Sequence, residues 1–307
     1  MTSNQLKYKK ERTIKTIFKS APTLFKESFL EFTKEKGLFH GAALAYYTLF
    51  AIVPLFYLMI AYISKLVGKK VILTVIADVL THQIGIQDIS GIMDFLNQFD
   101  FEKTNFFLEL VSLIALLLAC SAFVVSLKQS INEFYDLKPE YKNNKHLIIS
   151  TILFRLFSLL ILLCLTIILV FTYFAETFIL STSHILLDDF KVLQQMVSSV
   201  FGHLFSIASN AVIFAFIFKY VNDGKVAWKL AFIGATLTAI LLYIGQLLIR
   251  YYLFNFFFAA SGGLTGSLFI ILAWVYYSSQ IIFFGAKFTA VVGKHLGLPI
   301  VSRIRNT

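Results

Sequence analysis

"GAALAYYTLFAIVPLFYLMI", residues 41–60, runs for twenty residues without a charge. At about 1.5 Å per helical residue it reaches about 30 Å, the thickness of a bilayer's hydrocarbon core. It therefore reads as a membrane-crossing helix. Yet it carries Tyr46, Tyr47, Thr48 and Pro54 where a plain anchor would use leucine. Proline cannot donate to the carbonyl of Phe50, and its ring crowds that turn, so a kink is predicted at Pro54. Backbone groups freed in lipid need new partners, and the hydroxyls of Thr48, Tyr46 and Tyr47 are the nearest in sequence. A bent helix with hydroxyls close to its bend suits a cavity wall or a moving gate. A static kink explains the same residues.

The rest of the chain is of one kind with this stretch. Of 307 residues, 58% are apolar and 14% charged, whereas a soluble domain carries roughly 25% charged residues. The sequence is that of an all-α integral membrane protein. Six runs are long enough to cross: Ala42–Ser64, Phe106–Leu127, Leu147–Ala175, Ser198–Phe218, Leu230–Arg250 and Leu264–Val291. The first follows forty hydrophilic or amphipathic residues and precedes no small-residue cleavage site, so a removable signal peptide is not expected. Cys120 and Cys164 both fall inside apolar runs and read as small buried hydrophobes, with no disulfide.

Charge then orients the spans. One set of connecting segments (1–40, 128–146, 219–229 and the tail from 292) holds nineteen Lys and Arg. The alternate set (65–105, 176–197 and 250–263) holds six, and Arg155 and Lys287 lie within spans. The positive-inside rule places both termini in the cytoplasm, and an even number of spans agrees. The formal net charge of +10 is thus topology plus attraction to anionic lipid, not a nucleic-acid stripe.

Three parts follow: a cytoplasmic N-terminal segment (1–40), a six-helix transmembrane domain (41–291) with an outer loop (65–105), and a basic tail (292–307). In the first part Ile14, Ile17, Phe18, Ala21, Leu24, Phe25, Phe29 and Phe32 recur at helical spacing. An amphipathic helix in the inner interface fits that pattern, as does one packed on the protein's own cytoplasmic parts. In the outer loop, Val71, Ile72, Val75, Ile76 and Val79 predict one short helix. Ile89, Ile92, Met93, Leu96 and Phe99 predict a second, and together they form a small helical cap. In "AASGGLTGS" (259–267), Gly262, Gly263 and Gly266 make a tight outer turn or a partly re-entrant loop.

Polar groups within spans are costly and face the protein interior or a wet cavity. Arg155 lies about two turns into the third span. Glu109 and Arg250 lie at the outer ends of the second and fifth, where an ion pair is open to them. His203, Ser206 and Asn210 share one face of the fourth span, and Tyr243, Gln246 and Arg250 one face of the fifth. Two such stripes either enclose a water-lined substrate cavity or glue the bundle with interhelical hydrogen bonds.

"AALAYYTLFAIVPL", then "INEFYDL", then "GGLTGSLFIILAWVYYSSQIIFFGAKFTA" resemble the YihY/virulence factor BrkB family, from about residue 30 to 292. By that resemblance the family blocks fall on Ala45, Tyr46, Tyr47, Thr48, Leu49 and Pro54, on Asn132 and Tyr135, and on Gly263, Gly266, Trp274 and Gly285. The family usually has Gly-Ala-Glu where this chain has Gly285-Ala286-Lys287, which puts in doubt any role needing a carboxylate there. Lys287 is expected to snorkel to the inner phosphates instead. The resemblance implies a six-span inner-membrane protein linked to envelope integrity, in a family whose members are proposed to move lipids or other amphiphiles.

The family's former label of ribonuclease BN, a tRNA-processing nuclease, is regarded as mistaken, and this sequence gives it no support. The six histidines are scattered with no HxH or HxxxH pair, and Glu133, Asp136 and Glu140 read as a solvated helical face. No GxxxxGK[ST] motif is present, so the chain has no ATPase of its own. The expected function is translocation of a lipid or other amphiphilic envelope component. The alternative is a membrane scaffold or sensor. No enzymatic activity, cofactor, metal or nucleic acid is expected; membrane lipids and envelope-biogenesis proteins are the expected partners.

Overall fold

The structure is a computed structural model. It describes residues 14–35, 37–58, 62, 68–78, 80–81, 89–98, 106–137, 167, 191–256 and 263–302. In chain order the helices are α1 (Ile14–Lys34), α2 (Gly37–Leu58), α3 (Lys69–Asp78), α4 (Ser90–Gln98), α5 (Phe106–Phe134), α6 (Lys191–Tyr220), α7 (Trp228–Phe256) and α8 (Gly263–His295). Two short strands, β1 (Gly224–Lys225) and β2 (Val301–Ser302), pair antiparallel and tie the segment after α8 to the α6–α7 turn.

Five described helices, α2, α5, α6, α7 and α8, are long and apolar enough to cross a membrane. The expected third span, Leu147–Ala175, lies outside the described residues, as does Cys164. Observed helices overrun the expected spans: α5 continues from Leu127 to Phe134, and α8 from Val291 to His295. Helical hydrogen bonding does not stop where apolar composition does, so a span's end and a helix's end differ by a turn or two. Helix α2 likewise begins at Gly37, before the expected start at Ala42; residues 59–61, 63 and 64 of that expected span lie outside the described residues. On α5, Leu113, Ile114, Leu117 and Leu118 are all exposed, an apolar row suited to lipid and not to water.

Helix α8 is the hub, touching α1, α2, α4, α5 and α7, while α6 packs on α7 and α5 on α2. One device explains the closeness of α7 and α8. Each carries a glycine and a threonine four residues apart, Gly234/Thr238 and Gly285/Thr289, so each pair lies on one helix face. A Cβ on Gly234 would strike Thr289 Oγ1, and a Cβ on Gly285 would strike Thr238 Oγ1. The two notches thus each receive the other helix's threonine. Both hydroxyls are satisfied at home, Thr238 donating to Gly234 O (2.8 Å) and Thr289 to Gly285 O (2.7 Å). Small residues that let backbones approach are the usual way helices pack in lipid, where no hydrophobic force drives them together.

The two short helices of the expected outer loop are present. Ile72, Ile76, Ile92 and Leu96 point inward and join Ile270 and Ile271 of α8, with Ile52 and Phe56 of α2 against them. Val71 and Val75, counted with Ile72 and Ile76 in the pattern, are exposed. Ile270 is seventeen residues from Lys287, about 25 Å along α8, so this cluster and the charged groups below sit at opposite ends of the bundle.

Helix α2 remains one helix through Pro54, which is buried. Of the groups open to the turn freed by proline (Thr48, Tyr46, Tyr47 or water), Thr48 is engaged elsewhere: its hydroxyl donates to Leu44 O (2.9 Å), one turn back toward its own N-terminal side. A threonine in a helix reaches its i−4 carbonyl without leaving its rotamer, which is the cheaper bond. Tyr46 lies on the outer face of α2, packed on Tyr47 and Phe50 at ring-centroid distances of 5.8 and 4.6 Å.

Candidate functional site

Among the described residues, a dense polar assembly is built where α1, α5 and α8 meet. Glu27, Glu31 and Glu35 repeat at four-residue intervals and so form one acidic stripe at the end of α1. Facing it, α8 presents Lys287 and, two turns on, Lys294 and His295. Lys287 is 1% exposed, and its ammonium lies 3.0 Å from Glu31, 2.6 Å from Glu35 and 3.7 Å from Asp136. Lys294 approaches Asp136 at 2.9 Å and Glu31 at 3.8 Å, and His295 lies 3.4 Å from Glu27. The expected snorkelling of Lys287 is therefore corrected. Its ammonium finds three carboxylates within the protein, and so need not extend to lipid phosphates.

Asp136 is delivered by a backbone device. Helix α5 ends with Asp136 at φ 57°, and the Leu137 amide donates to Asn132 O (2.9 Å), the pattern of a left-handed helix cap. Aspartate tolerates that conformation better than most residues. The cap turns its carboxylate toward α8; Asp136 and Glu133 are both exposed, as expected of a solvated face, and Asp136 in addition pairs with the α8 lysines. Glu133 instead lies 3.3 Å from His40 Nε2, while His40 Nδ1 shares a hydrogen bond with Ser130 Oγ (2.9 Å). Glu140 lies outside the described residues. On α1, Leu24, Ser28 and Phe32 are buried against the bundle, and Phe25, Phe29 and Leu30 are exposed. Burial pushes the Glu35 carboxyl above its ordinary range, with Asp136 and Glu31 adding to the rise and Lys287 opposing it.

A second assembly joins α5 to the α6–α7 turn through the two residues of the INEFYDL block. The Asn132 amide donates to Asp223 Oδ2 (2.8 Å), and Asp223 N donates to Asn132 Oδ1 (2.9 Å). Lys128 pairs with the same carboxylate at 2.8 Å. Tyr135, buried, donates to Phe218 O (3.3 Å), and desolvation pushes its phenol up. Next to it Lys219 donates to Val226 O and stands 5.6 Å over the Trp228 ring. Asn132→Ala deletes both arms of the Asn132–Asp223 pair. It should cost about 1–2 kcal/mol, measured by thermal unfolding in detergent, since partly buried polar groups lose their partners.

The sequence-predicted cavity residues are distributed as follows. Arg155 lies outside the described residues, and the Arg250 side chain does too. His203 of α6, exposed, meets Tyr243 of α7 edge-on, with ring centroids 5.6 Å apart, which brings one residue of each stripe together. Asn210 turns back on its own helix, donating to Ser206 O (2.9 Å). Gln246 is half-buried. Glu109, expected opposite Arg250, accepts a hydrogen bond from the Tyr62 hydroxyl at 2.7 Å. Gly266 has open space beside it, and Trp274 is half-buried. What the sequence reading passed over is the acidic stripe of α1, although the four-residue spacing of Glu27, Glu31 and Glu35 was visible there.

No curated protein and no solved structure matches the chain. One family model does, described as virulence factor BrkB, over residues 28–299. That stretch takes in Glu31 and Glu35 of α1, the Asn132–Tyr135 block, Asp223 and the whole of α8. This multi-pass membrane protein belongs to the virulence factor BrkB family.

Proposed function

We propose that the chain is a six-span translocator of a lipid or other amphiphilic envelope component. It sits in a bacterial inner membrane with both termini cytoplasmic, α1 lies along the inner interface, and α3 and α4 cap the outer end. The seam between α6 and α7 is the path. The observation that supports this reading is the contact between His203 and Tyr243, one residue from each polar stripe, with Gln246 one turn from Tyr243 on α7. Arg155, whose planar fork suits a phosphate or carboxylate, is the proposed headgroup ligand. Downhill scrambling, a gradient or a partner drives the movement, and no catalytic step is proposed.

The test is reconstitution. Liposomes bearing the protein and labelled phospholipid should lose inner-leaflet fluorescence to dithionite faster than empty ones, and Arg155→Ala with Gln246→Leu should slow that loss at least about tenfold, a barrier change of about 1.4 kcal/mol. Equal rates with and without protein, at verified density, would overturn translocation. Cysteine at Gln246 should also react with a water-soluble maleimide in intact membranes; an inert thiol beside a reactive loop control makes the seam dry.

A scaffold or sensor is the second reading. The bond from Asn210 to its own helix favours it, because one of that amide's donors is then spent on Ser206 O within α6. The exposed Phe25, Phe29 and Leu30 of α1 would be its contact surface for lipid or envelope proteins.

A further inference from the structure

The α1–α8 seat does not balance when every group is ionised. Among the described residues, two ammoniums, Lys287 and Lys294, face three carboxylates, Glu31, Glu35 and Asp136, leaving one negative charge in excess there. The excess has an address. Glu35 Oε1 receives the Lys287 ammonium, whereas Glu35 Oε2 is buried and meets no hydrogen-bond partner. An ionised oxygen in that position would be left without water or donor, a costly arrangement. A hydrogen on Oε2 removes the excess charge, and a neutral hydroxyl costs far less to bury without a partner than an ionised oxygen. We propose that the seat of α1 on α8 binds one proton, held on Glu35, and that losing this proton loosens α1.

Among the described residues, the groups facing Glu35 are Lys287 from α8, Asp136 from the turn after α5 and Glu31 from α1 itself; Lys294 reaches it through the latter two. His295 and Glu27 pair with one another at the side. The direction of the effect follows from linkage. Seated Glu35 holds its proton more tightly than the ordinary value of 4.5 implies, so seating is strongest below that value. It weakens as pH rises through the elevated value. This is opposite to a carboxylate whose ion pair is simply broken by acid. The inference is independent of translocation, since it concerns how α1 is held and not what passes the seam.

Full-length protein in lipid nanodiscs, with Cys120→Ser and Cys164→Ser, would carry nitroxides at Lys26 and Leu298, both exposed. Pulsed dipolar spectroscopy from about pH 5 to about pH 9 should show one α1–α8 distance in acid and a second, longer population emerging as pH rises. Glu35→Gln, an uncharged stand-in for the acid, should keep the single distance throughout. Asp136→Asn removes a neighbouring negative charge and should move the transition to lower pH. An infrared carboxylic-acid band that titrates in parallel, and is missing from Glu35→Gln, assigns the proton. A wild-type distance distribution independent of pH, or a Glu35→Gln protein that titrates like wild type, overturns the proposal. Should Glu35→Gln not fold, the Asp136→Asn shift decides: an unmoved or upward-moved transition overturns it equally.

Discussion

Replacing Lys287 by methionine should cost about 3 kcal/mol of stability, the lower end for breaking a buried ion pair. Methionine fills a similar volume, so the loss isolates charge from packing. The lower end applies because the partners are not sealed: Glu31, Glu35 and Asp136 keep 30%, 25% and 51% side-chain exposure and can be partly rehydrated. Lys287→Glu should be worse, since it sets a fourth carboxylate among three. A chain carrying both Lys287→Glu and Glu35→Lys should recover part of the loss by exchanging the two ends of the 2.6 Å contact. Chemical unfolding in mixed micelles, with α8 integrity followed by near-UV circular dichroism, reads all three. Equal stability of wild type and Lys287→Met would mean that α1 is seated by Leu24, Phe32 and their neighbours alone. The exchange has a wider bearing: the family resemblance leads one to expect glutamate at this position, and a glutamate there would call for a cation on α1.

The second large effect is expected at the α7–α8 crossing. Alanine in place of glycine within a helix ordinarily gains about 1 kcal/mol from backbone entropy. At Gly234 or Gly285 that gain is outweighed, because the added Cβ occupies the space of a threonine hydroxyl from the facing helix. Overpacking of this kind costs about 1–3 kcal/mol, so either alanine variant should be destabilised on balance by about 1 kcal/mol and a leucine variant by about 3 kcal/mol. The geometry also specifies the rescue. Gly234→Ala should be relieved by Thr289→Ala and not by Thr238→Ala, while Gly285→Ala should show the reverse. A double-mutant cycle with coupling below about 0.5 kcal/mol for the facing pair would show that the helices simply move apart.

Several readings of the sequence rested on local pattern and held. The apolar runs that became α2, α5, α6, α7 and α8 were visible because lipid demands an unbroken apolar helix of a definite length. The alternation that became α3 and α4 was visible in Ile72, Ile76, Ile92 and Leu96, at the spacing that turns one face to a neighbour. Ends were less legible, as Phe134 and His295 show, because a helix can run on past the lipid on its own hydrogen bonds. Lys287 was misjudged for a different reason. A lysine near a span's end has two ways to stay charged, reaching water or finding carboxylates, and the choice depends on what α1 brings to it.

That contrast marks where local information stops. Composition and hydropathy determined that this chain lives in a membrane and roughly where it crosses, and three ordered sequence blocks showed which family it resembles. These properties are read residue by residue along one helix. Tertiary structure decided the partners. Lys287 meets Glu35 across 252 positions of chain, His40 meets Ser130 across 90, and each glycine of the α7–α8 crossing is matched to a threonine on the other helix. Nothing in the periodicity of α1 or α8 specifies such pairs, because helical spacing sets which side chains share a face, and only packing sets which face it meets.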